Sequence, residues 1–162
     1  MADNKWDRLP EPPSGLFLNQ KERNLVKQIN DELIERVLPQ QVAYYPLDRA
    51  TTNYHPLYGE AIVKNFLPPI RVYALVLWEE TEQQAVGAGI DHQEQITVHF
   101  HKRRLTEDQD LFVRPGDFVA YGANFYEIMS LQEPKELFGH TQYKMEISAV
   151  CIKSRDGLFN AD

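Results

Sequence analysis

The pair His99 and His101, separated by Phe100, is the best candidate for chemistry in this chain. On a strand, residues two apart project from the same face, so two imidazoles at this spacing suit a metal ion. Glu127 is the second candidate. It lies between Tyr126 and Ile128, where apolar neighbours could raise a carboxylate pKa for acid or base work. Strand alternation, however, turns every second residue outward, and no partner carboxylate lies near it in sequence. The third candidate is the dense basic run His101, Lys102, Arg103 and Arg104, suited to phosphates or to an acidic protein surface. In an acidic chain we rank the protein contact above DNA. No Gly-rich phosphate loop, nucleophile elbow or Cys–His pairing appears.

A metal-dependent barrel enzyme of the cupin type is the natural test of the histidine pair. Pro115-Gly116-Asp117 matches the turn such barrels carry. The other ligands do not follow. Glu107 comes late for the acidic ligand, and Tyr121 to Tyr126 offers no histidine after the turn; His140 falls in a loop. The expectation is therefore no metal and no cofactor, with His99 and His101 on a solvent-facing polar strand face.

These residues sit in a chain of 162 residues with a formal net charge of −7 and a pI of about 5.2. That length supports one domain with a real core. Such a balance argues against a protein that grips nucleic acid through phosphates, although an acidic wall suits a passage past which DNA slides. Cys151 is the only cysteine, so no internal disulfide forms, and its apolar strand setting predicts a buried structural thiol. The N-terminal stretch has no apolar signal region. The longest apolar run, Tyr73 to Trp78, is too short to span a bilayer. Folding in a reducing cytoplasm is the expectation.

The elements that position the candidates follow in chain order. Residues 1–18 carry Pro10, Pro12, Pro13 and Gly15 and read as an extended arm. Trp6, Leu16 and Phe17 are too apolar for a free tail and are candidates for subunit contacts. Residues 19–38 form a helix, capped by Asn19 with Glu22 three residues on and stopped by Pro39. Leu25, Val26, Ile29, Leu33, Val37 and Leu38 make one apolar stripe, predicted to pack, with the charged face solvated. A short β segment follows at 42–46, then a long polar stretch to Phe66 that hints at an interaction surface. Ile70 to Trp78 reads as a buried strand. The acidic, Gln-rich excursion from Glu79 to Gln95 carries Glu79, Glu80, Glu82, Asp91 and Glu94. Ile96 to Arg103 alternates as a strand, with Ile96, Val98 and Phe100 on one face. Thr106 to Asp110 reads as an acidic turn.

Arg114-Pro115-Gly116-Asp117 is a tight turn, and Gly122-Ala123-Asn124 a hairpin turn between strands at 117–121 and 125–131. A loop at 132–140 leads to a last strand over 142–153. Residues 154–162 form a tail with Leu158 and Phe159 as contact candidates. The fold class is α+β: an arm and one amphipathic helix, then a small antiparallel β-barrel or sandwich with long loops. The organisation is one domain over 19–153, with the barrel over 70–153.

The order of these motifs resembles a known family. Tyr44-Tyr45-Pro46 is followed by Leu57-Tyr58-Gly59-Glu60, the basic strand, and Arg114-Pro115-Gly116-Asp117-Phe118-Val119. Then come Phe125-Tyr126-Glu127-Ile128, Phe138-Gly139 and Thr141 to Ile147. This series resembles the neck protein of T-even-like contractile-tailed bacteriophages over roughly 42–153. The chain is shorter, with a tighter Pro-Gly-Asp turn and a different region over 48–60. The resemblance implies a non-enzymatic structural virion protein of the neck, made in the host cytoplasm. It implies a homo-oligomeric ring that closes the DNA-filled head, with portal or adaptor proteins above and tail terminator or tail proteins below. Viral DNA would pass through without sequence-specific binding, and no membrane is involved. A tail terminator or baseplate piece is the nearest alternative. Within a ring, the acidic excursion is the expected channel loop, because it contains no Lys or Arg and would repel a sliding duplex; the 132–140 loop is its rival.

Overall fold

The computed structural model describes residues 19–54, 61–78, 82–86, 89–134, 136–137 and 140–154, with backbone alone at 53–54, 61–63, 82–86, 89–93, 136–137 and 140–142. Trp6, Leu16, Phe17, Glu79, Glu80, Leu158 and Phe159 lie outside the described residues. Helix α1 (Gln20–Glu32) starts at the expected capping box. The Asn19 side chain accepts from the Gln20 N–H at 2.9 Å, and Glu22 accepts from the Asn19 N–H at 3.3 Å. The last turn, Leu33–Val37, is π-helical, and the Leu38 N–H closes it on the Leu33 carbonyl at 2.9 Å. Pro39 follows, and its ring ends the helix.

The strands are β1 (Gln41–Tyr45), β2 (Asn53–Tyr54), β3 (Ala61–Val63), β4 (Ile70–Tyr73), β5 (Leu75–Trp78), β6 (Glu82–Val86), β7 (Gly89–Gln93), β8 (Gln95–His101), β9 (Phe118–Tyr121), β10 (Asn124–Gln132), β11 (Glu136–Leu137), β12 (His140–Lys144) and β13 (Glu146–Lys153). Seven of them form one antiparallel sheet in the order β4-β1-β9-β10-β13-β8-β5. Its two outermost strands, β4 and β5, are consecutive in the chain and separated only by Ala74. One bent segment therefore pairs with β1 at one end and β8 at the other, and the sheet nearly closes into a barrel. At the seam the Ala74 N–H donates to the Gln40 carbonyl at 3.1 Å. The Val76 N–H donates to the Gln40 side-chain oxygen at 2.7 Å, so one amide side chain replaces a ladder bond.

Alternation fills the interior. Val42 and Tyr44, Val72, Val76, Ile96, Val98 and Phe100, Val119, Tyr126, Ile128, Ile147, Ala149 and Cys151 form one buried cluster, joined by Leu105, Leu111 and Val113. The barrel is a packed core and not a pore.

The Arg114 to Asp117 turn is tied into this core. Gly116 sits at φ +90, where glycine carries no Cβ penalty, and its N–H donates to the Ile128 carbonyl at 2.8 Å. Asp117, 3% exposed, accepts from the Tyr44 hydroxyl, from the Leu47 N–H at 2.8 Å and from the Arg114 N–H at 3.2 Å. Burial and then this carboxylate push the Tyr44 phenol far above its ordinary pKa. Gly122, at φ +63, makes the two-residue turn between β9 and β10, whose register pairs Tyr121 with Asn124.

Several expectations are corrected by this fold. The single strand expected over 70–78 is split at Ala74 by the barrel closure. The 79–95 excursion contains an antiparallel pair, β6 with β7, in register from Glu82–Gln93 to Val86–Gly89. The strand expected over 96–103 ends at His101, and residues 104–108 form a π-helical turn where an acidic turn was expected over 106–110. The last strand is broken at Met145 into β12 and β13. The largest correction concerns α1: none of its residues is fully buried, and its apolar stripe faces outward except at Val26, which is half-buried.

Candidate functional site

The outer face of β8, expected to meet solvent, is where α1 docks. His101 is 3% exposed in its side chain, and its Nδ1 lies 2.9 Å from Asp31 on α1. Its Nε2 is shielded from solvent and has no hydrogen-bond partner among the described residues. Arg104 reaches Glu35, and lies 3.7 Å from Asp31. Lys27 is 2.6 Å from Asp108 and 3.6 Å from Asp31. Arg103 makes a two-point contact with Glu107, donates to the Arg23 carbonyl at 2.9 Å, and reaches the Asn24 side chain at 3.1 Å. Lys102 is 2.8 Å from Glu133, which also holds Lys144 at 3.2 Å; the Lys102 hydrogen bond holds the Glu133 carboxyl below its usual range.

Every member of the basic run thus has an acidic partner within the chain. His101, Arg103 and Arg104 tie the polar side of α1 to the barrel, while Lys102 is held by Glu133. Formal charge explains the choice: half-buried cations need anions close by, and Asp31 and Glu35 supply them one turn apart. The sequence carried this signal in the match between the acidic positions of the helix and the basic run, which the apolar stripe overshadowed.

His99 belongs to a separate polar group. Its Nδ1 is 2.5 Å from Glu146 and 2.9 Å from the Ser148 hydroxyl, which in turn donates to Glu146 at 3.0 Å. Serine, histidine and glutamate are the parts of a nucleophilic triad, but the arrangement is not one. A triad needs the acid on one ring nitrogen and the serine on the other; here both converge on Nδ1. Among the described residues, no three His, Cys, Asp or Glu side chains converge as metal ligands. Glu127 is paired with Lys64 at 2.6 Å, and that lysine also lies over the Phe118 ring. Cys151 is buried, and burial pushes its thiol up to about 12.

Of the expected channel residues, Glu82 and Asp91 fall on the paired strands β6 and β7. Glu94 follows β7 and is held 2.9 Å from Lys153, which anchors the base of that hairpin to β13.

What the residue types did not announce is the outward side of α1. Leu25, Ile29, Leu33, Val37 and Leu38 are 40% to 64% exposed. Beside the stripe, a groove of about 660 Å³ runs between the end of the helix and the outer face of β5 and β8, lined by Leu33, Ile34, Leu38, Leu75, Leu77 and Met145 among others.

No protein-family model and no curated protein matches the chain. Among solved structures, a chain from the virion of a native gene transfer agent particle aligns at a TM-score of 0.44 and 13% identity, over 71% of this chain and 94% of that one. The xkdH protein of the phage-like element PBSX from Bacillus subtilis aligns at a TM-score of 0.31 and 14% identity, over 70% and 92%.

Proposed function

We propose that the chain is a structural virion protein of a phage neck, a subunit of a ring that closes the filled head and joins it to the tail. The observation that carries the proposal is the apolar stripe of α1, turned outward while Asp31 and Glu35 on the opposite side of the helix contact His101 and Arg104. A protein that functions alone rarely presents such a surface; a subunit of an assembly does. The filled barrel supports the same reading, since DNA cannot thread a packed core and must pass between or beside copies. So do the internal consumption of the basic run and the net charge of −7, which suit a wall past which DNA slides rather than a surface that holds it. The order of the turn and strand motifs adds the resemblance to neck proteins.

In this reading the β6–β7 hairpin points toward the channel, portal or adaptor proteins lie above the ring, and tail proteins lie below. The test is to tag the chain in intact particles and image the label by electron microscopy. Label at the head–tail junction is expected. Label along the tail tube or at the baseplate would replace the neck with another tail position, and absence from particles would end the virion reading.

A further inference from the structure

We infer that the outward stripe of α1 is the contact between copies of this chain. The inference rests on the proposed virion role only for its biological setting, since a stripe-to-stripe contact pairs two copies and does not by itself close a ring. The stripe is formed by Leu25, Ile29, Leu33 and Val37, each four residues from the next, with Leu38 at the end of the helix. Through Leu33 and Leu38 it opens into the groove that Leu77 lines on the barrel, where His99 and Glu146 add a polar edge.

Two observations identify a second copy as the occupant. The first is area. Five to six aliphatic side chains, each about half exposed, offer on the order of 500 Å² of apolar surface, well over half of the roughly 800 Å² that one partner contributes to a standard interface. That is a complete interface core and more than a single anchoring side chain needs. The second is charge. The chain as a whole carries −7, so most of its surface repels its own copy. The exposed charges of α1 are Lys21, Glu22, Glu32 and Arg36, two of each sign. Arg36 and Glu32 already pair at 2.9 Å. This surface is neutral, has an apolar centre and carries both signs at its rim, the pattern of a surface that can meet its own copy without repulsion. A partner chosen for opposite charge would meet a rim of one sign.

The stripe is free to do this because it does not hold the helix in place. Asp31, Lys27 and Glu35 anchor α1 from the other side. A stripe variant therefore tests association without unfolding the chain.

The experiment is sedimentation of the full chain over a rising concentration series, beside Ile29→Glu and Leu33→Glu. Circular dichroism verifies that each variant is folded. Self-association of the parent chain is expected, weakened at least about tenfold by either carboxylate in the apolar centre. Gln28→Cys, at the edge of the stripe, should then give an oxidative dimer, since Cys151 is buried and does not compete. A parent chain that stays monomeric throughout overturns the inference, as does association unchanged in both variants. A monomeric parent whose stripe begins to bind an apolar dye once residues 1–18 are removed would assign the surface to the chain's own arm and equally overturn it. The outcome is separate from particle labelling: neck label with unchanged association rejects this interface and leaves the neck reading standing, while association through the stripe without neck label does the reverse.

Discussion

The orientation of α1 yields an inverted pair of mutational effects. In most amphipathic helices the apolar side carries the stability and the polar side is tolerant. Here Asp31→Ala should be costly and Ile29→Glu nearly silent. Removing the Asp31 carboxylate leaves His101 almost wholly buried with neither ring nitrogen partnered, at a cost of about 1–3 kcal/mol. Lys27 retains Asp108 and Arg104 retains Glu35, so the loss is confined to the histidine and should fall near the middle of that range. Ile29 is 57% exposed; the covered part of its side chain represents about 1 kcal/mol or less, and a carboxylate at that position meets solvent. Had the helix packed by its stripe, Ile29→Glu would bury a charge and cost several kcal/mol, at least about 3. Urea unfolding resolves the two cases, measured at dilutions where the chain is monomeric so that association adds nothing to the apparent stability. Equal slopes in urea with a lower midpoint for Asp31→Ala, and a midpoint near the parent for Ile29→Glu, are expected. The reverse order of the two midpoints would refute the docking by polar contacts.

Gln40→Ala should loosen the barrel at its seam, because the Val76 N–H loses the side-chain oxygen that stands in for a strand; a loss of about 1–3 kcal/mol is expected, with faster amide exchange over β5, and Gln40→Glu should restore most of it by keeping an acceptor. The Cys151 thiol, pushed up to about 12 in the fold, contributes stability that is complete below its ordinary value of about 8.5 and is lost as pH rises toward the folded value. Alkaline unfolding should therefore be less steep in Cys151→Ala than in the parent, and thiol labelling of the native chain should be slow. Tyr44→Phe should likewise flatten the profile above about pH 10, since the folded phenol stays protonated where the unfolded one ionises. Shortening the segment between Thr81 and Gln93 should leave heads that fill normally and then leak DNA before the tail joins; unchanged DNA retention and infectivity would remove this hairpin from the channel and favour the 132–140 loop.

Much of the fold was legible because it is local. Asn19 and Glu22 set the helix start, and Pro39 its end. Gly116 and Gly122 mark two turns at which the backbone takes positive φ. The alternation of Ile96, Val98 and Phe100 put those side chains inside, as alternation also did for Cys151. The split of the 70–78 strand was not legible, because Ala74 differs from its neighbours only in belonging to the corner where a sheet meets its own first strand.

What the sequence by itself determined is which residues share a face: the stripe on one side of α1, the charges on the other, the histidines on the outer side of a strand. It did not determine which face of α1 meets the barrel. That choice belongs to the tertiary structure, because the deciding partners are far apart in the chain: Asp31 meets His101 across 70 residues and Lys27 meets Asp108 across 81. Periodicity measures the spacing of like residues within one element. The direction in which that element turns depends on what another element offers it, and β8 with the turn after it offered cations that Asp31 and Glu35 could neutralise. The polar side was drawn inward, and the apolar side was left facing outward.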